Sequence, residues 1–347
     1  MQCSSDTKIS IPIVIKDGVI VLSGYGIAVK TEKGFLYLHD GLCEDQRDGK
    51  FSRPCKIKRL VLLGHDGFIT LSALRWLFDI SAGIIQIDLD GEAIFSSIQH
   101  RENVILKRAQ YAAINNQHGI SITTYLLSEK VLGQSQVLKK YAPEAVYLYR
   151  DETINSAHFL EHCSKEIKHA SIIYSALEIE ALSAAAYYQV VSQRKLRFEK
   201  KDSRYIPEHW LTFGSRHSLV NPKSNRNATN PANAMLNYLY AVLHSETCLA
   251  LLAAGFDLYA GIFHYYNDIY RASLAYDVME AVRPAVDDWL LAYTAQHIFS
   301  YSDFFQKRDG GVRLKIALAH QLASTLPLWR RALSPHVEHI VKLLKKS

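Results

Sequence analysis

Residues 83–114, GIIQIDLDGEAIFSSIQHRENVILKRAQYAAI, run from one structural period into another. GIIQIDL and EAIF are short apolar runs on either side of Asp90-Gly91, which reads as two antiparallel strands joined by a tight turn. From Asn103 to Ile114 the apolar residues recur instead at helical spacing. Toward the N-terminus the strand-like pattern continues: IPIVI (11–15) and VIVL (19–22) flank Lys16 to Gly18, and GIAV (26–29) and FLYL (35–38) flank Lys30 to Gly34. One helix interrupts them, LSALRWLF (71–78), with Thr70 or Ser72 as cap and Leu71, Leu74, Leu77 and Phe78 as its apolar face. Toward the C-terminus, helical periodicity persists through 170–191, 231–254, 274–299 and 312–326. The expectation is an α+β chain, with a small β-rich domain over residues 1–96 and a larger all-helical domain over 97–347. Residues 198–229, rich in Lys, Arg, Asn and Ser and interrupted by Pro207 and Pro222, read as a long loop between core helices. After Leu326 only a short basic helical tail is expected.

With 347 residues, 48% hydrophobic and 21% charged, the chain can bury a large core and is not a disordered protein. The excess of 40 Lys and Arg over 34 Asp and Glu suits a phosphate-binding surface without requiring one. Cys3, Cys43, Cys55, Cys163 and Cys248 are odd in number and form no C-x-x-C pair, so neither a disulfide framework nor a zinc knuckle is indicated. The opening residues lack the pattern of a secretion signal and no apolar run is long enough to span a bilayer. A cytoplasmic protein with no membrane segment is the expectation.

Three residues could carry chemistry together. Glu180 lies in the almost wholly apolar helix IIYSALEIEALSAAAYYQVV (172–191), where an unpaired carboxylate is costly and a divalent cation, an Arg partner or a raised pKa would relieve it. Glu178 is on another face and reads as solvated. His264 ends GFDLYAGIF (255–263), whose two glycines suggest a loop that sets the imidazole in place. In SLAYDVMEAVRP (273–284), Asp277 and Glu280 share a helix face, with Ser273 as cap and Pro284 as a break. Two carboxylates and an imidazole suit Mg²⁺ or Mn²⁺, and such a site suits phosphoryl transfer. Spacing alone would not single them out, because charged helix faces and structural histidines are common.

Four segments in order change that balance. IEALSAAAYY (179–188), NPANAMLNYLY (230–240), GFD with GIFH (255–264), and the pattern S-L-x-x-D-x-M-E-x-x-R-P at 273–284 together resemble the CRISPR-associated integrase family Cas1, as does LSALRWLFD followed by GIIQIDLDGE. The likeness covers roughly residues 11–290. It implies a metal, Mg²⁺ or Mn²⁺, held by Glu180, His264 and Glu280 as catalytic ligands, with Asp277 beside them. It also implies a homodimer packed through the β-rich domains, two such dimers around a Cas2 dimer, and double-stranded DNA whose 3′ ends are joined to a repeat array by transesterification. A casposase-like transposon integrase would run the same reaction on another target, and a catalytically inactive DNA-binding scaffold is the alternative of another class. Departures from the family pattern are Ala181 where a Gly is usual, Ala186 where an Arg is common, and Asn230 in place of Asp.

DNA near such a site would meet cations. Arg194, Lys195, Arg197, Lys200, Lys201 and Arg204 follow the Glu180 helix, Arg216, Lys223 and Arg226 lie in the long loop, and Arg271 precedes Ser273. For any one of them a solvated face is the simpler reading. Tyr265, Tyr266 and Tyr270 could stack on bases or merely pack.

Overall fold

The computed structural model describes residues 11–16, 18–41, 46–64, 66–87, 93–97 (backbone only), 103–215, 228–264 and 271–345. The N-terminal part contains β1 (Ile11–Pro12), β2 (Val19–Ser23), β3 (Ile27–Glu32), β4 (Phe35–His39), β5 (Arg47–Phe51), β6 (Arg59–Leu63), β7 (Gly67–Ile69), helix α1 (Leu71–Asp79), β8 (Gly83–Ile87) and β9 (Ala93–Ser97). They form two sheets, one in the order β1-β5-β4-β3-β7 and one in the order β2-β6-β8-β9, the latter parallel except for its last pair. The strands expected at GIIQIDL and EAIF do pair antiparallel, whereas the Asp90-Gly91 turn lies outside the described residues.

The second sheet is buried on both faces. Ile20, Leu22, Leu60, Leu62 and Ile84 point into a core shared with Val29, Leu36 and Leu38 of the first sheet. The alternate residues Val19, Val21, Val61, Leu63, Ile85 and Ile87 belong instead to the core of the helical part. This double burial explains why VIVLS and RLVLL are nearly continuous apolar runs rather than alternating ones. Helix α1 is capped by Thr70, whose hydroxyl accepts from the Ala73 N–H at 3.2 Å. Its buried side is not the expected one: Ala73, Trp76 and Leu77 face the sandwich, and Leu71, Leu74 and Phe78 are 84%, 36% and 53% exposed. Trp76 decides the rotation, because its indole N–H reaches the Gly34 carbonyl at 3.1 Å while its ring carries Arg53.

The C-terminal part contains α2 (Val104–Ala113), α3 (Gln117–Tyr141), β10 (Val146–Tyr149), β11 (Glu152–Asn155), α4 (Ser156–Lys168), α5 (Ile173–Val191), α6 (Pro231–Ala254), α7 (Ser273–Met279), α8 (Arg283–Gln296), β12 (Phe304–Gln306), β13 (Val312–Leu314), α9 (Ile316–Ala323) and α10 (Leu326–Leu344). The expectation of an all-helical domain is corrected by two hairpins, β10-β11 and β12-β13. The first turns through Arg150 and Asp151, both at positive φ, and the second takes Val312 to Leu314 out of the expected helix. The expected short tail is a full helix: Trp329, Leu333, Val337, Ile340 and Leu344 of α10 are buried. The described part of the long loop carries short 3-10 turns at Lys200–Asp202 and Glu208–Trp210, and 216–227 lie outside the described residues. Asn230 caps α6 by accepting from the Asn233 N–H at 2.8 Å and also donates from its amide to the Phe213 carbonyl at 2.9 Å. An Asp there could make the first bond but not the second.

Candidate active site

Helix α3 runs through the helical part, and its Lys130 joins two of the expected site residues, Glu180 and Glu280. The buried ammonium lies 2.5 Å from Glu180 Oε1, on α5, and 2.7 Å from Glu280 Oε2, on the 3-10 turn Glu280–Val282 between α7 and α8. Two carboxylates a hundred residues apart in sequence therefore touch one cation. Glu280 Oε1 also meets Arg283 at 2.9 Å. The close approach of α3 to this turn needs Gly133: a Cβ there would stand 2.8 Å from Pro284 Cβ. Pro284, in the first turn of α8, is where the sequence places a break.

The charges are arranged to keep Glu280 ionised. Burial by itself would raise the Glu280 carboxyl, but the Arg283 and Lys130 cations pull it down to about 2. Burial would likewise lower the Lys130 ammonium, and Glu280 and Glu180 reverse that and raise it. Glu280 Oε2 is buried and its close partner is the Lys130 ammonium at 2.7 Å.

His264 is held by Asp277. That carboxylate is wholly buried, and its two oxygens accept from the Ile262 N–H (2.5 Å), the Phe263 N–H (3.3 Å), the His264 N–H (3.0 Å) and His264 Nδ1 (2.7 Å). A carboxylate can only accept here, so Nδ1 carries the proton and the lone pair of a neutral imidazole is on Nε2. Asp277 thus orients the imidazole, with its oxygens taken up by the loop. The loop is anchored from behind by Gln110 of α2, fully buried, which donates to the Asp257 and Ala260 carbonyls at 2.8 and 2.7 Å and accepts from the Asp257 N–H at 3.0 Å. His264 makes a small further contribution to lowering the Glu280 carboxyl. Ser273, expected as a cap, is instead the first residue of α7, whose N-cap is Ala272 without a side-chain bond.

Among the described residues no three His, Cys, Asp or Glu side chains are spaced to enclose one ion. The two acids face Lys130 instead. The donor types nonetheless suit a hard divalent cation: two carboxylates that meet at one ammonium, and an imidazole held through Nδ1 by Asp277. Around the site, Tyr187 and Tyr240 donate to opposite oxygens of the buried Asp287 at 2.8 and 2.6 Å, tying α5, α6 and α8 together. Ala181, at the unusual position beside Glu180, is exposed.

The expected basic residues are scattered. Arg194 is half-buried beside Gln193 and Val146, Lys195 and Arg197 are exposed, and Arg197 donates to the Ala295 carbonyl. Lys201 is exposed and paired with Glu199 at 2.6 Å, and Arg204 lies over the exposed Tyr205 ring at 4.6 Å. Arg271 is half-buried over the Tyr276 ring at 4.1 Å. Arg216, Lys223, Arg226, Tyr265, Tyr266 and Tyr270 lie outside the described residues. Sequence reasoning missed Lys130 and Gln110. Lys130 had one faint signal, a lone cation in the largely uncharged stretch from His118 to Leu138.

Residues 20–326 match the family model described as CRISPR associated protein Cas1. A CRISPR-associated endonuclease Cas1 of Archaeoglobus fulgidus is 28% identical over 280 residues, covering 78% of this chain and 75% of the relative. Another from Pyrobaculum aerophilum is 27% identical over 306 residues, covering 86% and 89%. Among solved structures, a casposase bound to integration product superposes with a TM-score of 0.75 at 21% identity, over 95% of this chain and 91% of that one. The Cas1 protein of Thermotoga maritima gives 0.68 at 16% identity over 93% and 96%. The observed architecture, a β-rich N-terminal part and a mainly helical C-terminal part, is the one these structures share. With the four motif segments contributing to one helical core and the family model matching residues 20–326, most of this chain, the chain belongs to the Cas1 family.

Proposed function

We propose that this chain is a metal-dependent DNA endonuclease and integrase that joins DNA 3′ ends to a target strand. The observation that carries the reading is the convergence of Glu180 and Glu280, a hundred residues apart, on one buried cation, with His264 held separately through Nδ1 by Asp277. Family membership supports the same conclusion, since the relatives are Cas1 endonucleases. Glu180, His264 and Glu280 would hold Mg²⁺ or Mn²⁺, which supplies polarisation of a scissile phosphate and activation of the attacking hydroxyl. In the joining step the 3′ oxygen of the incoming strand forms a bond to phosphorus, the bond to the target strand's own 3′ oxygen breaks, and that oxygen leaves as a hydroxyl. One phosphodiester replaces another, so no external energy source is needed. The chain's part is alignment and charge neutralisation.

The reading includes spacer insertion at a repeat array, a homodimer, and a Cas2 partner. The exposed Leu71, Leu74 and Phe78 of α1, with Phe68 nearby in sequence, give the N-terminal part an apolar surface that a second copy would cover. A Cas2 partner is consistent with a solved Cas6-RT-Cas1–Cas2 complex, similar in fold at a TM-score of 0.70 and 19% identity over 96% of this chain and 36% of that one. No helix among the described residues is long and apolar enough to cross a membrane.

The test is strand joining by purified protein with Mg²⁺ or Mn²⁺ and a DNA duplex bearing free 3′ ends. Glu180→Ala, His264→Ala and Glu280→Ala are each expected to reduce joining at least about a hundredfold while DNA binding persists. Joining that survives in all three variants rules out this site. Salt-sensitive DNA binding by the wild type without any metal-dependent turnover would instead identify a scaffold. Offering a repeat array and transposon terminal repeats in one reaction separates the adaptation enzyme from a casposase-like one.

A further inference from the structure

Lys130 stands where a metal ion would be needed. Its ammonium contacts both Glu180 and Glu280, and Arg283 contacts the other oxygen of Glu280. The four formal charges cancel, so the site is electrically closed as it stands. A divalent ion ligated by the same carboxylates would face the ammonium at short range, a repulsion the low-dielectric surroundings enlarge. Two arrangements are then available to one lysine. With no metal, it holds the carboxylates at a common point and offsets their mutual repulsion. With metal, its flexible stem lets the ammonium swing off the carboxylates, and the nearest new anion is the phosphate of bound DNA.

We propose that Lys130 is the resident cation of this site: it occupies the carboxylates until a divalent ion displaces it, and it then neutralises charge on the DNA phosphate undergoing exchange. The inference rests on the metal site proposed above. It assigns a role to a residue on α3, a helix that carries none of the proposed ligands. Residue choice supports it: a merely structural partner for two buried acids could be Arg, whose forked donors would satisfy both carboxylates in fixed geometry, whereas Lys binds as a movable point charge.

The decisive comparison is Mn²⁺ affinity against joining rate in Lys130→Gln and Lys130→Met. Titration of Mn²⁺, followed by electron paramagnetic resonance without DNA, should show roughly tenfold tighter binding in both, because the competing cation is gone. Single-turnover joining at saturating Mn²⁺ should fall roughly a hundredfold. A lysine that only braced the fold would weaken both quantities together. Unchanged or weaker Mn²⁺ binding in a folded variant, or wild-type joining, overturns the proposal. If both variants fail to fold, the wild type still decides: acetylation of Lys130, read by mass spectrometry, should be slow in the metal-free protein and several-fold faster with Mg²⁺, and equal rates overturn it. A wild type that binds no Mn²⁺, or Glu180→Ala that binds it undiminished, removes the site itself; a wild type that binds Mn²⁺ with no gain in Lys130→Gln removes only this lysine's part.

Discussion

A single buried carboxylate, Asp277, holds the imidazole of His264. It accepts from three consecutive backbone N–H groups and from Nδ1, so one side chain sets both the path of the loop and the tautomer of the ring. Replacing it with Asn keeps the shape but turns one acceptor into a donor aimed at N–H groups. Asp277→Asn is expected to lose roughly 3 kcal/mol of stability and to weaken Mn²⁺ binding, because the lone pair is no longer directed. Thermal unfolding and a metal titration on the same preparation check this; an unaltered metal affinity would show that the imidazole is oriented by something else. At this scale the sequence was only partly legible. Glu180, His264 and Glu280 stand out because they sit in segments that resemble a family, whereas Asp277, read as lying beside the metal, has its oxygens taken up by the loop. Lys130 was not legible, since the partner of a buried acid is chosen by tertiary packing rather than by neighbours in sequence.

Helices deliver these groups, and their approach depends on small contacts. Gly133 allows α3 to lie against Pro284, so Lys130, about one turn earlier, reaches Glu280. In an isolated helix Gly→Ala would stabilise by about 1 kcal/mol. Here the new methyl would meet a rigid proline ring at 2.8 Å, so the two elements must part. Gly133→Ala is expected to be destabilising by a net of about 1–2 kcal/mol and to reduce joining more than its stability loss explains, measured by denaturant unfolding beside single-turnover rates. A stabilised, fully active Gly133→Ala would mean that the approach is not tight. Element types were readable over most of the chain because burial imposes a period on each helix and strand. The exceptions have physical causes. Residues 312–314 are short, apolar and uncharged but for Arg313, and pair with β12 only because the chain turns at Asp309 to Gly311. Helix α1 has apolar residues on more than one side, and the indole hydrogen bond of Trp76 chooses between them.

The two parts of the molecule are joined through one sheet that faces two cores. The second sheet packs one face on the first sheet and the other on the helices, and polar contacts cross the same boundary. Arg59 of β6 meets the buried Glu246 of α6 at 3.4 Å, and burial raises the Glu246 carboxyl although Arg59 and Arg330 oppose it. His320 of α9 lies 3.3 Å from the Val21 carbonyl, which also accepts from Arg47 at 2.7 Å. Burial lowers His320 below its ordinary 6.5, with Arg47 adding to the effect and Asp40 opposing it; burial also lowers His336 on α10. A base depressed in the folded state stays neutral there while the unfolded chain takes up the proton. The stability it contributes is therefore present above about pH 6.5 and lost as pH falls below it. The melting temperature should drop between about pH 7.5 and pH 5.5, and the drop should shrink in His320→Gln combined with His336→Gln. An equal drop in that double variant would assign the acid sensitivity to other groups. A β-rich part followed by a helical one was legible in the sequence, but that one sheet serves both cores could be seen only once both faces of VIVLS and RLVLL were accounted for.

The measurement that bears most directly on the whole account is the anomalous diffraction of manganese in crystals of the wild-type protein grown with Mn²⁺. The account predicts one strong peak bounded by a Glu180 oxygen, Glu280 Oε2 and His264 Nε2, with the Lys130 ammonium moved off the carboxylates. Manganese bound elsewhere, or no peak while Lys130 still bridges Glu180 and Glu280 at millimolar Mn²⁺, would contradict it.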